Sequence, residues 1–267
     1  MRFDVCTLFP EMFTHYLGES LFHQAIQKGL ISVGIHNMRD WTRDRHKTMD
    51  DRPFGGGPGM VLKVEPVVGC VESVQNGCWG ENSQIFAGDE TREDADFPGR
   101  LILLTPQGRV FRQTVAEELA EESRLVFLCG RYEGFDDRVR QILKPDEISI
   151  GDYVLNGGEV AAMAIMEAVM RLLPGALGDE LSSVTDSFSS GNRLLEAPQF
   201  TRPREFRGLS APEILLQGHH ANIEKWREEQ SWLLTKERRP DLITPEMEEL
   251  WENRNKKKRN RRKRDLS

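Results

Sequence analysis

Apolar positions along this chain fall into two patterns, and the first is a short unbroken run that spills into a glycine-rich loop. Leu125-Val126-Phe127-Leu128 precedes Cys129-Gly130-Arg131-Tyr132-Glu133-Gly134, and Ile148-Ser149-Ile150 precedes Gly151-Asp152-Tyr153-Val154-Leu155-Asn156-Gly157-Gly158. Upstream, Leu101-Ile102-Leu103-Leu104 runs into Thr105-Pro106-Gln107-Gly108-Arg109 in the same way. Runs without alternation predict strands buried on both faces. Three strand-then-loop units at close spacing predict a parallel sheet with its loops gathered at one edge, the edge where open α/β sheets bind ligands.

The second pattern is helical. After a first strand around Val5-Cys6-Thr7-Leu8-Phe9, the residues Met12, Phe13, Leu17, Leu21, Ala25 and Ile26 predict a single helix over 11–29, capped by Gly29. Leu30–Ile35 reads as the second strand, so the chain opens β-α-β, the start of a parallel α/β architecture. Further helices are predicted over 64–74 and 111–123. From Glu159 to Leu173 the chain is apolar nearly all round, as in a helix that is buried or packs on another subunit. Helical segments are also predicted near 212–217, 222–235 and 244–253, with Ile223, Trp226, Gln230 and Leu233 on one face.

Breaks in these patterns set the organisation. Residues 39–60 are dense in charge and then in glycine. Gly55-Gly56-Gly57-Pro58-Gly59 forms neither a Walker A loop nor a GxGxxG fingerprint, because Met60-Val61-Leu62-Lys63 follows. The basic residues Arg43, Arg45, His46, Lys47 and Arg52 beside it suit a phosphate-contacting surface; a plain surface loop explains the composition equally well. The segment 77–99 reads as an exposed insertion. Pro174-Gly175 and the serine-rich stretch after it mark the best domain boundary. The expected division is an α/β domain over 1–177, a linker over 178–191, a small α-helical domain over 192–253 and a basic, disordered tail over 254–267.

Composition narrows the function classes. The chain has 267 residues, enough for a large core, and its 38% hydrophobic and 30% charged content describes a soluble protein with no membrane-spanning run. Its start lacks the apolar core of a secretory signal. Cys6, Cys70, Cys78 and Cys129 form no CxxC pair, and no histidine completes a zinc set, so thiols in a reducing cytoplasm are expected and no metal site. The net charge of −7 hides an asymmetry: nine basic residues from Arg254 onward against Asp265 alone make the tail +8, which leaves −15 on the body. Such a run attracts polyanions.

The loops themselves offer backbone groups rather than a P-loop lysine or a Ser-His-Asp set. That suits an adenine-containing cofactor lying against main chain, with Tyr132, Tyr153 or Leu155 packing on its ring. The residues also carry a resemblance. Leu8-Phe9-Pro10-Glu11-Met12-Phe13, Asp44-Arg45-His46, Asp50-Asp51-Arg52-Pro53-Phe54 with the glycine run to Met60, Cys129 to Gly134, Ile150 to Leu155 and Gly157-Gly158-Glu159 occur in order. Asp186-Ser187-Phe188, Thr201-Arg202-Pro203 and Ala221 to Arg227 continue it. In these motifs the chain closely resembles the TrmD family, bacterial tRNA (guanine-N1)-methyltransferases of the SPOUT class, over everything but 77–99 and the tail.

The resemblance implies a trefoil knot at the C-terminal part of the α/β domain, a homodimer, S-adenosylmethionine in the knot, magnesium, and tRNA as the partner. It places Pro106, Gly130, Tyr132, Glu133, Gly134, Ile150, Gly151, Asp152, Tyr153, Val154, Leu155, Gly157 and Gly158 around the cofactor, with Glu133 also near the magnesium. Arg45, His46, Gly59 and Arg202 match RNA-contacting positions. The implied product is N1-methylguanosine at position 37. Guanine N1 is protonated at neutral pH, so a base must take that proton, and Asp186 matches it. Arg171 matches the arginine that stabilises charge on O6. His219 and Thr185 depart from the family's usual asparagine and glutamate. Two other readings stay open, a SPOUT ribose 2′-O-methyltransferase and a non-catalytic RNA-binding protein.

Overall fold

The computed structural model describes residues 1–88, 98–177, 185–191 and 193–264, the last ten of these by their backbone. The chain divides into two compact units, Met1–Glu180 and Leu181–Ser267. The first unit begins with β1 (Arg2–Thr7), α1 (Glu11–Leu17), α2 (Ser20–Gln27) and β2 (Ser32–Asn37). A small antiparallel ladder follows, β3 (Asp50–Asp51) with β4 (Val61–Leu62), then α3 (Val64–Gln75) and β5 (Gln84–Phe86). The remainder is β6 (Arg100–Val110), α4 (Gln113–Ala120), β7 (Arg124–Cys129), α5 (Arg138–Leu143), β8 (Asp146–Ser149) and α6 (Glu159–Met170).

Six strands form one sheet in the order β5-β2-β1-β7-β6-β8, parallel except where β5 pairs with β2. The unbroken apolar runs now have their reason. On β7, Leu125, Phe127 and Cys129 face one core cluster with α1, α2, α4 and α6, while Val126 and Leu128 face the other with α3. All six β7 residues are buried. Covering both faces with helices leaves no position where a polar side chain meets water.

Several expectations change. The single helix over 11–29 is two: the Gly18 N–H donates to the Thr14 and His15 carbonyls and closes α1, and Ser20 starts α2 with φ +57°. The break lets Phe13, Leu17, Phe22, Ala25 and Ile26 all reach the same core. The second strand runs two residues further along than expected, at Ser32–Asn37. The expected insertion 77–99 is partly integral: Ile85 and its neighbours add the antiparallel edge strand to β2, whereas residues 89–97 lie outside the described residues. The expected loop at 105–109 is a bulge within β6, since Leu104 and Arg109 both pair with Ile148.

What holds the start of this sheet together was not legible as a motif. Asp4 is fully buried and accepts from Arg2 Nε and Arg124 Nε, each at 2.8 Å, and from His36 Nε2 at 2.8 Å. Arg124, also fully buried, donates further to the Val74 carbonyl at 2.7 Å. Trp79 from the supposed insertion stacks on the His36 ring at 5.1 Å and lies under the Arg2 guanidinium at 4.6 Å. Burial by itself would raise the Asp4 pKa, but the hydrogen bonds from His36 and Arg2 outweigh it and hold the carboxyl at about 2.

In the second unit, β9 (Glu205–Phe206) and β10 (Leu209–Ser210) make a hairpin, and α7 (His220–Arg238) and α8 (Pro245–Arg264) are the long helices. Trp232 of α7 stacks on Trp251 of α8 at 4.7 Å. The basic run expected to be disordered is different here, because α8 continues as helix through Arg264. The first half of the expected linker 178–191 lies outside the described residues; its end, 185–191, is a turn in the second unit.

Candidate active site

The bulge of β6 and the loops leaving β7 and β8 lie side by side and enclose a cavity of about 360 Å³. That is the size of a small-molecule site, at the sheet edge where such sites form. Every cofactor-lining position expected from the resemblance borders this cavity except Asp152. The Tyr153 N–H donates back to the Gly151 carbonyl at 3.0 Å, a tight turn that leaves Asp152 exposed.

Two glycines let the backbones approach this closely. A Cβ on Gly108 would lie 2.4 Å from the backbone of Glu147 and Ile148, and one on Gly158 would lie 2.9 Å from Cys129 Cα. The Gly158 N–H donates to the Gly130 carbonyl at 3.0 Å, so the loop before α6 is bonded to the loop after β7. Tyr132, in the loop after β7, has φ +60°, unusual for a non-glycine residue and found at sites where the fold holds a side chain in place.

One buried carboxylate joins β1, the loop after β7 and the start of α6. Glu159, the first residue of α6, is fully buried; its Oε1 accepts the Thr7 hydroxyl of β1 at 2.8 Å. Its Oε2 lies 3.0 Å from Arg131 Nε, an ion-pair distance without the alignment of a hydrogen bond. The Arg131 guanidinium in turn covers the Phe9 ring at 4.4 Å and donates to the Asn156 carbonyl at 3.4 Å. Glu159→Ala would leave Arg131 and Thr7 without this partner. The expected cost is about 1–3 kcal/mol in urea unfolding, with Glu159→Gln, which can still accept from Thr7, closer to wild type. Equal stability of Glu159→Ala and wild type would count against this fastening.

The glycine-rich loop joins the same rim. Its stem is the β3–β4 ladder, and Glu133 N–H donates to the Met60 carbonyl at 3.0 Å while Leu62 N–H donates to the Gly134 carbonyl at 2.9 Å. Gly59 therefore packs beside the Glu133 side chain. Arg45 and His46 are exposed on a turn organised by Asp44, which accepts from the Thr48 hydroxyl at 2.8 Å and from the His46 N–H at 3.1 Å. The Thr48 hydroxyl is the main cause that holds the Asp44 carboxyl below its usual range.

The two catalytic candidates fall in different units. Arg171 is the C-cap of α6 in the first, half-buried. Asp186 is half-buried in the second, where its carbonyl accepts from Ser189 N–H at 3.2 Å. The adjacent Ser187 hydroxyl accepts from Glu196 N–H at 2.9 Å and Phe188 N–H donates to the Leu194 carbonyl at 2.8 Å, which fixes the turn that carries Asp186. Arg202 is exposed in the same unit.

The cavity also has walls that sequence reasoning did not single out. Thr105 and Gln107 border it, and their only signal was proximity to Pro106. Arg140 borders it from α5, held by Glu147 at 3.1 Å from its Nε and by Thr105 at 3.4 Å. Its helix, six residues long, left no usable periodicity. Chemically the cavity offers main-chain donors and acceptors, apolar surface from Pro106, Ile150 and Leu155, and three charges, Arg131, Glu133 and Arg140. It presents no serine–histidine pair, and among the described residues no three His, Cys, Asp or Glu side chains gather as a metal site.

Comparison with known proteins gives one answer. The sequence profile described as tRNA (guanine-1)-methyltransferase TrmD matches residues 1–245. The chain is 57% identical over 244 residues to the tRNA (guanine-N(1)-)-methyltransferase of Rhodopirellula baltica, covering 91% of this chain and 94% of that protein. To the same-named protein of Brevibacillus brevis it is 51% identical over 255 residues, 94% of this chain and 96% of that one. The same-named protein of Geotalea uraniireducens is 51% identical over 244 residues, 91% of each.

Proposed function

Because the chain belongs to the TrmD family of tRNA (guanine-1)-methyltransferases, we propose that it methylates N1 of guanosine 37 in tRNA with S-adenosylmethionine as donor. The observation that carries this reading is the cavity at the β6 bulge and the ends of β7 and β8, bounded by backbone rather than by nucleophiles. Its polar main chain and the apolar surface of Pro106, Ile150 and Leu155 fit an adenine ring. Its Arg131, Glu133 and Arg140 fit the charged amino-acid end of the donor. When bound, the donor supplies an electrophilic methyl group on sulfur.

The chain's own residues do the rest. Asp186 takes the N1 proton, so that the ring lone pair is free to attack as the methyl transfers. Arg171 holds the negative charge that this moves toward O6. Arg45, His46, Gly59 and Arg202 hold the RNA, with the target guanosine turned out of its stack. The described residues do not gather a magnesium cage, and no step here runs through that ion.

Two features of the reading concern assembly. β7 lies between β1 and the earlier strand β6, and the chain then returns so that Gly158 meets Cys129. That path supports a trefoil knot through these loops. Val160 and Ala164, exposed one turn apart on α6, whose other residues are buried or half-buried, support a homodimer packed on that helix. The linker and helical second domain keep the roles the resemblance implies. No helix among the described residues is long and apolar enough to cross a membrane, and the proposed place of action is the cytoplasm, with its tRNA.

Unmodified tRNA bearing guanosine at positions 36 and 37 tests the reading, with tritiated donor and nucleoside analysis by mass spectrometry. The expected product is 1-methylguanosine from position 37. Methyl on a ribose 2′-hydroxyl would move the chain to the alternative SPOUT reaction, and no transfer at all would remove the proposal.

A further inference from the structure

The family match ends at residue 245, and the densest basic run of the chain begins beyond it, at Arg254. Between Arg254 and Arg264 only Asn255 and Asn260 are not lysine or arginine. The backbone of this run is the second half of α8, a helix of 20 residues and therefore about 30 Å long. Its first half is docked: Trp251 stacks on Trp232, Lys236 pairs with Glu248, and Arg254 pairs with Glu228 at 2.6 Å. The anchored half fixes where the basic half starts.

From the chemistry of that half, we propose that α8 is an RNA-backbone contact that increases the affinity of this chain for tRNA, without reading its sequence. The choice of tRNA as occupant rests on the function proposed above. Successive residues of a helix are 100° apart, so eight basic residues within 256–264 occupy every direction around the axis. A helix of that kind has no apolar face to bury in a core. Its sequence repeats basic residues at i, i+4, as at Lys257 and Arg261, Lys258 and Arg262, Arg259 and Lys263, a spacing that disfavours an isolated helix and that a polyanion compensates.

Two further observations select RNA. The body before the tail carries −15 against the tail's +8, so the tail concentrates the positive charge that attracts a phosphate backbone in a chain whose balance is otherwise negative. A membrane-surface helix needs Trp, Phe or Leu opposite its charges, and none occurs from Arg254 to Arg264.

The test changes Lys256, Lys257, Lys258 and Arg259 together to glutamine in the full-length chain, with a second variant ending at Asn253. Dissociation constants for unmodified tRNA are measured between about 50 and 200 mM salt, where phosphate contacts have their steepest effect. Both variants are expected to bind about tenfold or more weakly at the low end. If most of the four positions contact phosphate, the log–log salt slope should become shallower by about 2–3, at roughly 0.7–0.9 per contact. S-adenosylmethionine affinity by calorimetry is the folding control and is expected to stay the same.

An unchanged tRNA affinity and slope in both variants overturns the proposal. So does binding of the full-length chain to phosphatidylserine vesicles that is lost in the variants while the tRNA slope is kept. A salt-dependent tRNA complex that loses its slope in the variants, in a chain that transfers no methyl group, would leave this proposal standing and remove the enzymatic one.

Discussion

Asp186→Asn is expected to slow methyl transfer about 10²–10⁴-fold, the usual contribution of a positioned general base. The substitution keeps the size and shape of the side chain and removes its ability to accept the guanine N1 proton. The bonds to the Asp186 and Leu194 carbonyls and to the Ser187 hydroxyl, which hold the turn that carries it, are kept by the substitution. Cofactor affinity is expected to be unchanged, because the cavity is built by residues 104–161. Single-turnover rates with saturating tRNA and donor make the check. A variant with the wild-type rate would move the proton to another acceptor.

Arg124→Ala should cost about 3–5 kcal/mol of stability, since it leaves the Asp4 charge buried beside a missing partner. Asp4 and Arg124 are both fully buried, and Arg124 also satisfies the Val74 carbonyl. The sign of the pH dependence follows from the depressed Asp4 pKa. Its folded value is about 2 against 3.8 ordinarily, so its contribution is complete above pH 4 and is lost as pH falls from about 4 to about 2. The linked free energy is about 2 kcal/mol. Urea unfolding of wild type and Asp4→Asn at a series of pH values isolates this group, because the other carboxylates are common to both. Their stability gap should narrow below pH 4; a gap flat down to pH 2 would show that Asp4 is not its source. Both residues lie toward the N-terminal ends of β1 and β7, while the cavity lies at the β6 bulge and the C-terminal ends of β7 and β8. Destabilisation here is therefore expected to lower the folded fraction rather than to change the site's chemistry.

Much of the architecture was legible because its signals are local. Leu101–Leu104, Leu125–Leu128 and Ile148–Ile150 could be read as buried parallel strands since both faces of such a sheet exclude water. The glycine-rich segments after them could be read as the ligand edge, because short backbone distances demand glycine, as at Gly108 and Gly158. The helix break at Gly18 was missed, since Met12 to Ile26 keep a helical spacing across it and only the shared core shows why two short helices serve better. Gln84–Phe86 was hidden by its polar flanks; an edge strand needs few apolar residues, and its pairing to Val33–Ile35 is a property of the other strand as much as of itself.

The amino-acid sequence by itself therefore determined the buried strands, the sheet edge that carries the cavity, the motifs shared with a methyltransferase family and the charge asymmetry of the tail. Each is carried by residues close together in the chain. Only the tertiary structure decided that Asp4, His36 and Arg124 form one buried charge cluster with the Trp79 ring stacked on it, and that Glu159 ties β1, the loop after β7 and the start of α6 together through Thr7 and Arg131. Likewise only the fold placed Arg140 in the cavity wall. A lone arginine or aspartate has no periodicity to reveal its partner, and whether its charge is stabilised or penalised depends on burial, which is set by the packing of elements far apart in sequence.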